Sequence, residues 1–304
     1  MKNRIVLMCV VLSLAMSTAL FAQETEDGHG KPEPPMAGLH LAKGQASKTG
    51  GAAHNSPLMT NHGGNIMTTV QPVQAIFWGT SWNSATFTGD KITGMDSFYS
   101  GVGNTAYAGT CSEYSDPSKH VLSDGITYNG HVIDTTPASN GQRTSSILAE
   151  VCKVITSPQA NGYYPVYVDI PRGNAGYCAW HSAGTCNGVP VQFAFFFHLD
   201  GDPGCDPEDT SGLHSQGLAA LANVSGHELS EARTDPRLNA WYDNSGAENG
   251  DKCAWTFGTP LLTFKNSSQW KIQGNWSNEA YTNSTGYPNA TGQRGCIDGG
   301  NYHN

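Results

Sequence analysis

Residues 189–199, "VPVQFAFFFHL", constrain the fold more than any other stretch of this chain. A strand that is apolar on both faces has to lie inside a sheet rather than at its surface. A helix rich in small and apolar residues follows it. In "SGLHSQGLAALANVSGHELSEARTDP" Leu218, Ala222, Ser225, Leu229 and Ala232 recur at steps of four and three, and Leu221 and Val224 form a second buried side. This predicts a largely buried helix over about 214–235. Pro236 stops it, because the residue before a proline is pushed out of helical geometry.

The rest of the chain is read the same way. "VQPVQAIFWGTSW" and "YYPVYVDIP" suit buried strands. Ile92, Met95 and Phe98 predict a short helix over 90–100, and "TSSILAEVCKVI" a second over about 145–156. The expected fold class is α+β, a mixed sheet with packed helices, in one domain spanning 69–304. Before it, residues 23–68 ("DGHGKPEPPMAG", "HNSPLMTNHGGN") show no sustained period and are expected to be a disordered linker or a pro-segment. Residues 1–22 have the form of a signal peptide: Lys2 and Arg4, an apolar run from Ile5 to about Leu14, then small residues to Ala19 or Ala22.

Composition agrees with export. Seven cysteines remain once Cys9 leaves with the signal peptide: Cys111, Cys152, Cys178, Cys186, Cys205, Cys253 and Cys296. That usage fits an oxidising compartment, with two or three disulfides and one cysteine left free or paired outside the chain. The expected pairs are Cys178 with Cys186 and Cys253 with Cys296. No Cys-x-x-Cys exists to suggest a zinc–thiolate site. Removing Lys2 and Arg4 leaves 14 basic against 25 acidic residues, a balance of −11, which argues against nucleic acid and anionic membranes as partners. No stretch reaches the ~18 apolar residues of a membrane span.

The chemistry concentrates in "SGHELSEARTDP", residues 225–236. His227 and Glu231 are four apart and share a helix face, and Glu228 lies beside His227. In a zinc hydrolase two ligands one turn apart fix two corners of a tetrahedron, and the neighbouring carboxylate serves as general base. Here the second ligand is a glutamate where the best-known form has histidine. "NAWYDNSGAENGDKCAW" offers Asp243, Glu248 and Asp251 for what is missing. One group of zinc peptidases takes its third ligand from a glutamate on a later element, followed within a turn by an aspartate that orients a ligand. Glu248 and Asp251 are assigned those roles. The competing reading is a solvated acidic face. Against it, Glu231 and Asp235 form a like-charge pair near a helix C-terminus, unfavourable by roughly 0.2–0.5 kcal/mol. Neither Glu228 nor Glu231 has a basic residue four positions on.

"WGTSW", "CAWH" at 178–181, "GHELSEARTDP" running into "NAWYD", and "ENGDKC" at 248–253 carry a resemblance. From about residue 72 to 298 the chain resembles the phosphate-induced protein family, also called EXORDIUM-like, of secreted plant and bacterial proteins. The family's positions match His227, Glu228, Glu231, Glu248, Asp251 and Cys253. Plant members have Asn at the position of Asp235, which implies that Asp235 ends the helix rather than binding a ligand. The resemblance implies an extracellular or cell-wall location and names no reaction.

His181 in "CAWHS", with Trp241 and Tyr242, is a candidate for substrate contact. His181 and His198 also have the bland reading of packed or hydrogen-bonded histidines. "HLDGDPGCDPED" lacks the ligand spacing of an EF-hand and reads as an acidic loop. There is no Gly-x-Ser-x-Gly elbow for a serine hydrolase. The expected function is a secreted zinc-dependent hydrolase, a metallopeptidase before other kinds, acting on an extracellular peptide or cell-wall polymer. Zinc is held by His227, Glu231 and Glu248, with Glu228 as base. The alternative is a non-catalytic module associated with cell-wall glycan, its cluster holding a structural metal.

Overall fold

The doubly apolar stretch is central in the fold, as its patterning requires. This computed structural model describes residues 33–45, 56–122 and 125–299, so the expected signal peptide lies outside the described residues. Six strands form the main sheet: β1 (Ala37–Leu41), β2 (Gln71–Trp78), β3 (Ile126–Asp134), β4 (Tyr163–Pro171), β5 (Tyr177–Cys186) and β6 (Val189–His198). Their spatial order is β1-β5-β6-β4-β2-β3. β3, β2, β4 and β6 run parallel to their neighbours, whereas β5 lies antiparallel to β6 and β1 antiparallel to β5. The sheet is therefore mixed, and the fold is α+β.

Helices α1 (Lys91–Val102), α2 (Thr144–Val154) and α3 (Gln216–Thr234) pack on it, each within two residues of its predicted bounds. In α3 every residue from Gly217 to Thr234 is buried. Ser215 caps its start by accepting the Leu218 N–H at 3.2 Å. Ser225 Oγ meets the Tyr167 hydroxyl of β4 at 2.7 Å, and that hydroxyl meets Tyr99 of α1 at 2.8 Å, so a polar thread fixes the helix in an otherwise apolar layer. At the other end Asp235 accepts the N–H groups of Asn239 and Ala240 at 2.6 and 2.7 Å. It ends the helix and shapes the turn that leads away, as the resemblance implied.

Two expectations are corrected. Cys178 is bonded to Cys205 and Cys186 to Cys152, while Cys253–Cys296 forms as expected. Cys178 and Cys186 share strand β5, and eight residues of extended chain separate their Cα atoms by roughly 26 Å, far beyond disulfide reach. Cys111 is free and buried. The second correction concerns 23–68. Of the two readings of this segment, disordered linker or pro-segment, the first fails at two places: Ala37–Leu41 is an ordered strand of the main sheet and Thr60–Asn61 pairs with Trp241–Tyr242. "AGLHL" buries Gly38 and His40 on one face, an alternation too short to register as a period but sufficient once β5 offers an edge. Glu33 onward belongs to the same unit as the rest of the fold.

Candidate metal centre

Helix α3 carries His227, Glu228 and Glu231 on buried turns facing β5 and β1. β5 contributes His181, whose side chain shares the buried side of its strand with Ala179. The loop after α3 brings Glu248 and, at the start of a short 3₁₀ turn, Asp251. That turn ends at Cys253, so the Cys253–Cys296 bridge ties the loop to the C-terminal strand Arg294–Ile297. β1 adds His40. Side chains of three histidines and three glutamates thus converge, and all six residues are buried.

The distances have a definite character. His227 Nε2 lies 3.1 Å from Glu231 Oε1 and 3.6 Å from Asp251 Oδ1. His181 Nε2 lies 3.6 Å from Glu231 Oε2 and 3.3 Å from Glu248 Oε1. Ligands bound at ~2.0–2.2 Å to a tetrahedral ion stand roughly 3.3–3.6 Å from one another, a range that holds three of these four distances, while His227–Glu231 at 3.1 Å is slightly shorter. Two sets, His181 with Glu228 and Glu231, and His227 with Glu231 and Asp251, have ligand atoms all within 4.8 Å of one another. Glu231 belongs to both, one oxygen turned to each histidine.

Surrounding groups aim the ligands. The Gln273 side-chain amide meets His227 Nδ1 at 3.1 Å and donates to the Gly250 carbonyl at 2.8 Å, leaving Nε2 turned inward. The Asp251 N–H donates to Glu231 Oε1 at 3.0 Å, and Asp251 Oδ2 accepts the Glu248 N–H at 3.1 Å. Asp251 therefore holds the Glu248 backbone in place and also stands near His227. Gly250 allows the loop to close down: a Cβ there would sit 2.9 Å from the His227 ring.

Several buried polar atoms in the cluster have no hydrogen-bond partner: both ring nitrogens of His40, His227 Nε2, both oxygens of Glu228, Glu231 Oε2 and Glu248 Oε2. Such atoms cost about 1–3 kcal/mol each, more when charged, so their accumulation at one point calls for a bound group. The electrostatics lead to the same conclusion. Burial raises Glu228 and Glu248 well above the ordinary carboxylate range, and raises Glu231 to about 7 against the pull of His227. Burial opposes charge on His227, but Glu231, Asp251 and Glu228 outweigh it and hold its pKa high. Burial, aided by His227, pushes His181 down to about 3 and His40 well below its usual value. These buried His, Glu and Asp groups can hold a metal ion, whose charge would stabilise the carboxylates that the apolar surroundings disfavour.

The structure brings together every residue assigned to the centre from sequence: His227, Glu228, Glu231, Glu248 and Asp251. Trp241 and Tyr242 stand elsewhere. The Trp241 indole donates to the Ser115 carbonyl at 2.7 Å, and the Tyr242 ring stacks on His62. Asp243 is engaged by Lys252 at 2.5 Å. His198 contacts Asp200 at 2.9 Å, and Arg172 grips Asp202 of the acidic loop at 2.6 and 2.8 Å. His181 is far more central than its bland reading implied, and His40 was missed. The alternation in "CAWHS" and "AGLHL", each placing a histidine among small and apolar residues, is the signal that marks both.

Among the described residues no helix is long and apolar enough to cross a membrane, and with three disulfides this accords with an extracellular protein. No protein-family model, curated protein or solved structure matches the chain.

Proposed function

We propose that this protein is a secreted, zinc-dependent hydrolase acting on peptides, and that it belongs with the EXORDIUM-like proteins its motif order resembles. The observation that supports the reading is that Glu231 joins two groups of ligand atoms, one with His181 and Glu228 and one with His227 and Asp251, while Glu248 stands 3.3 Å from His181. The set differs from the one read from sequence by the addition of His181. Two imidazoles and two carboxylates with no thiolate suit zinc among the available divalent ions.

When bound there, zinc supplies Lewis-acid polarisation of a carbonyl and lowers the pKa of water towards ~7. The protein supplies the rest. Glu228, with a carboxylate oxygen within 4.8 Å of ligand atoms of His181 and Glu231, would take a proton from an attacking water. Burial raises its pKa, and a nearby cation offsets that, bringing a general base towards neutral pH. Asp251 and Gln273 keep the loop and the His227 ring from turning away.

Elemental mass spectrometry of the purified protein tests the metal, with wild type beside His227→Ala and His181→Ala. Near-stoichiometric zinc in the wild type and its loss from His227→Ala are expected. Glu228→Gln separates catalysis from structure: it should retain metal and lose hydrolysis of a peptide library. Full cleavage by that variant would refute the mechanism.

A further inference from the structure

Strand β1 lies where an incoming chain would have to lie. It is the outermost strand of the sheet, five residues long, paired antiparallel to β5 with breaks in register on both sides of His40. Its backbone passes directly over the metal centre. Gly38 adopts φ +51°, and a Cβ there would stand 2.0 Å from Glu231 Oε2 and 2.2 Å from His181 Cδ2. The His40 ring stacks on His227 at 4.2 Å with 7° between planes. His181, His227 and Glu231 are therefore covered by one short segment of main chain.

The attachment of that segment is peptide-like. Backbone pairing to β5 is supplemented by Ser182 Oγ donating to the Pro35 carbonyl at 2.5 Å and by Thr144 Oγ1 donating to the Pro34 carbonyl. The Trp255 indole donates to the Leu41 carbonyl at 2.8 Å. These three donors reach main-chain oxygens, which any polypeptide offers; the ends of the segment are held through side chains as well, Glu33 by Thr144 and Ser145 and Lys43 by Glu208. Between α3 and the edge of β5 the fold thus forms a groove that receives extended main chain, and the chain's own residues fill it.

We propose that the edge of β5 is a binding site for extended polypeptide, which adds as an antiparallel strand in place of β1 with glycine, the residue β1 has there, over the metal centre. Strand addition of this kind draws affinity from main-chain hydrogen bonds and selectivity from the positions that face into the site. Glycine is required at the crossing point because a left-handed backbone and the Glu231 carboxylate both exclude a side chain. Segment 33–45 accordingly keeps the site closed in its own chain, and displacing it opens the groove. Calling the bound polypeptide a substrate rests on the hydrolase reading. The binding itself does not.

The experiment uses the full chain carrying Gly38→Val, which cannot keep β1 over the centre, and the synthetic peptide EPPMAGLHLAKGQ, residues 33–45. Hydrogen exchange over 177–182 reports the β5 edge, and fluorescence anisotropy of the labelled peptide reports binding. The expected result is faster exchange at Ala179–His181 in the variant and restored protection when peptide is added. A peptide with Ala at the Gly38 position should bind about tenfold more weakly, the factor that a penalty of roughly 1–2 kcal/mol for a left-handed non-glycine residue implies. Unchanged exchange in the variant, or equal affinity for the two peptides, overturns the proposal. If Gly38→Val loses global protection, the pair Ser182→Ala with Thr144→Val loosens 33–45 from outside the metal cluster and is judged by the same readouts. Peptide that binds the variant without being cleaved leaves the strand-addition site standing and removes the hydrolase reading instead.

Discussion

Replacing Glu231 by glutamine in metal-free protein isolates the electrostatic state of the centre. Glu231 is buried, and its pKa is raised from 4.5 to about 7. The neutral carboxyl therefore contributes stability that is fully present below about pH 4.5 and lost as pH rises through about 7. Raising a carboxyl by that amount corresponds to roughly 3 kcal/mol. Glutamine does not titrate, so with chelator present the stability of Glu231→Gln relative to wild type should rise by roughly 2.5 kcal/mol between pH 5 and pH 8, since about 0.8 kcal/mol is already lost at pH 5. Comparing the two proteins at each pH cancels the opposing contributions of His40 and His181, whose lowered pKa values favour folding as pH rises through the normal histidine range. Urea unfolding followed by tryptophan fluorescence provides the measurement. With zinc the order should reverse, since wild type gains about 2.7 kcal/mol at a hundredfold excess over the dissociation constant and the variant gains less. Parallel pH profiles for the two proteins in chelator would refute the account of Glu231 as a buried carboxylate awaiting a cation.

Three further outcomes are expected. Removing the Cys253–Cys296 bridge by paired serine substitutions frees a loop closed over 43 residues. Chain entropy sets the loss at about 4 kcal/mol in urea unfolding, with zinc affinity falling as well because Glu248 and Asp251 lose their anchor. Ser225→Ala removes one link of the Tyr99–Tyr167–Ser225 thread and should cost about 1 kcal/mol while leaving zinc content unchanged, as metal analysis of the folded variant will show. Asp251→Asn should keep the hydrogen bond from its own N–H to Glu231 yet weaken zinc binding about tenfold, read by competition with a chromophoric chelator, if its charge serves to orient the centre.

Much of the centre was legible in the chain because its main components are local. A helical period places His227 and Glu231 on one face whatever surrounds them, and Glu228 follows from adjacency. Glu248 and Asp251 were found because they sit shortly after the helix, where a turn can bring them back. His181 and His40 are local to nothing in the site. His181 stands 46 positions before His227 in the sequence and His40 a further 141 before that. Trp241 and Tyr242, close to the loop in sequence, instead form a short strand paired with Thr60–Asn61, so proximity along the chain misled where no period constrained direction.

Local pattern alone determined that the stretch 189–198 would be an interior strand, that 216–234 would be a buried helix, and that the helix would stop before Pro236, since each depends on periodicity or on proline sterics within a few residues. It also determined that two or three disulfides would form. The tertiary structure decided which cysteines meet, that β1 takes the sheet edge, and that two distant histidines complete the cluster. Those outcomes depend on the order and direction of strands, and strand pairing is a contest between distant edges that no local spacing records.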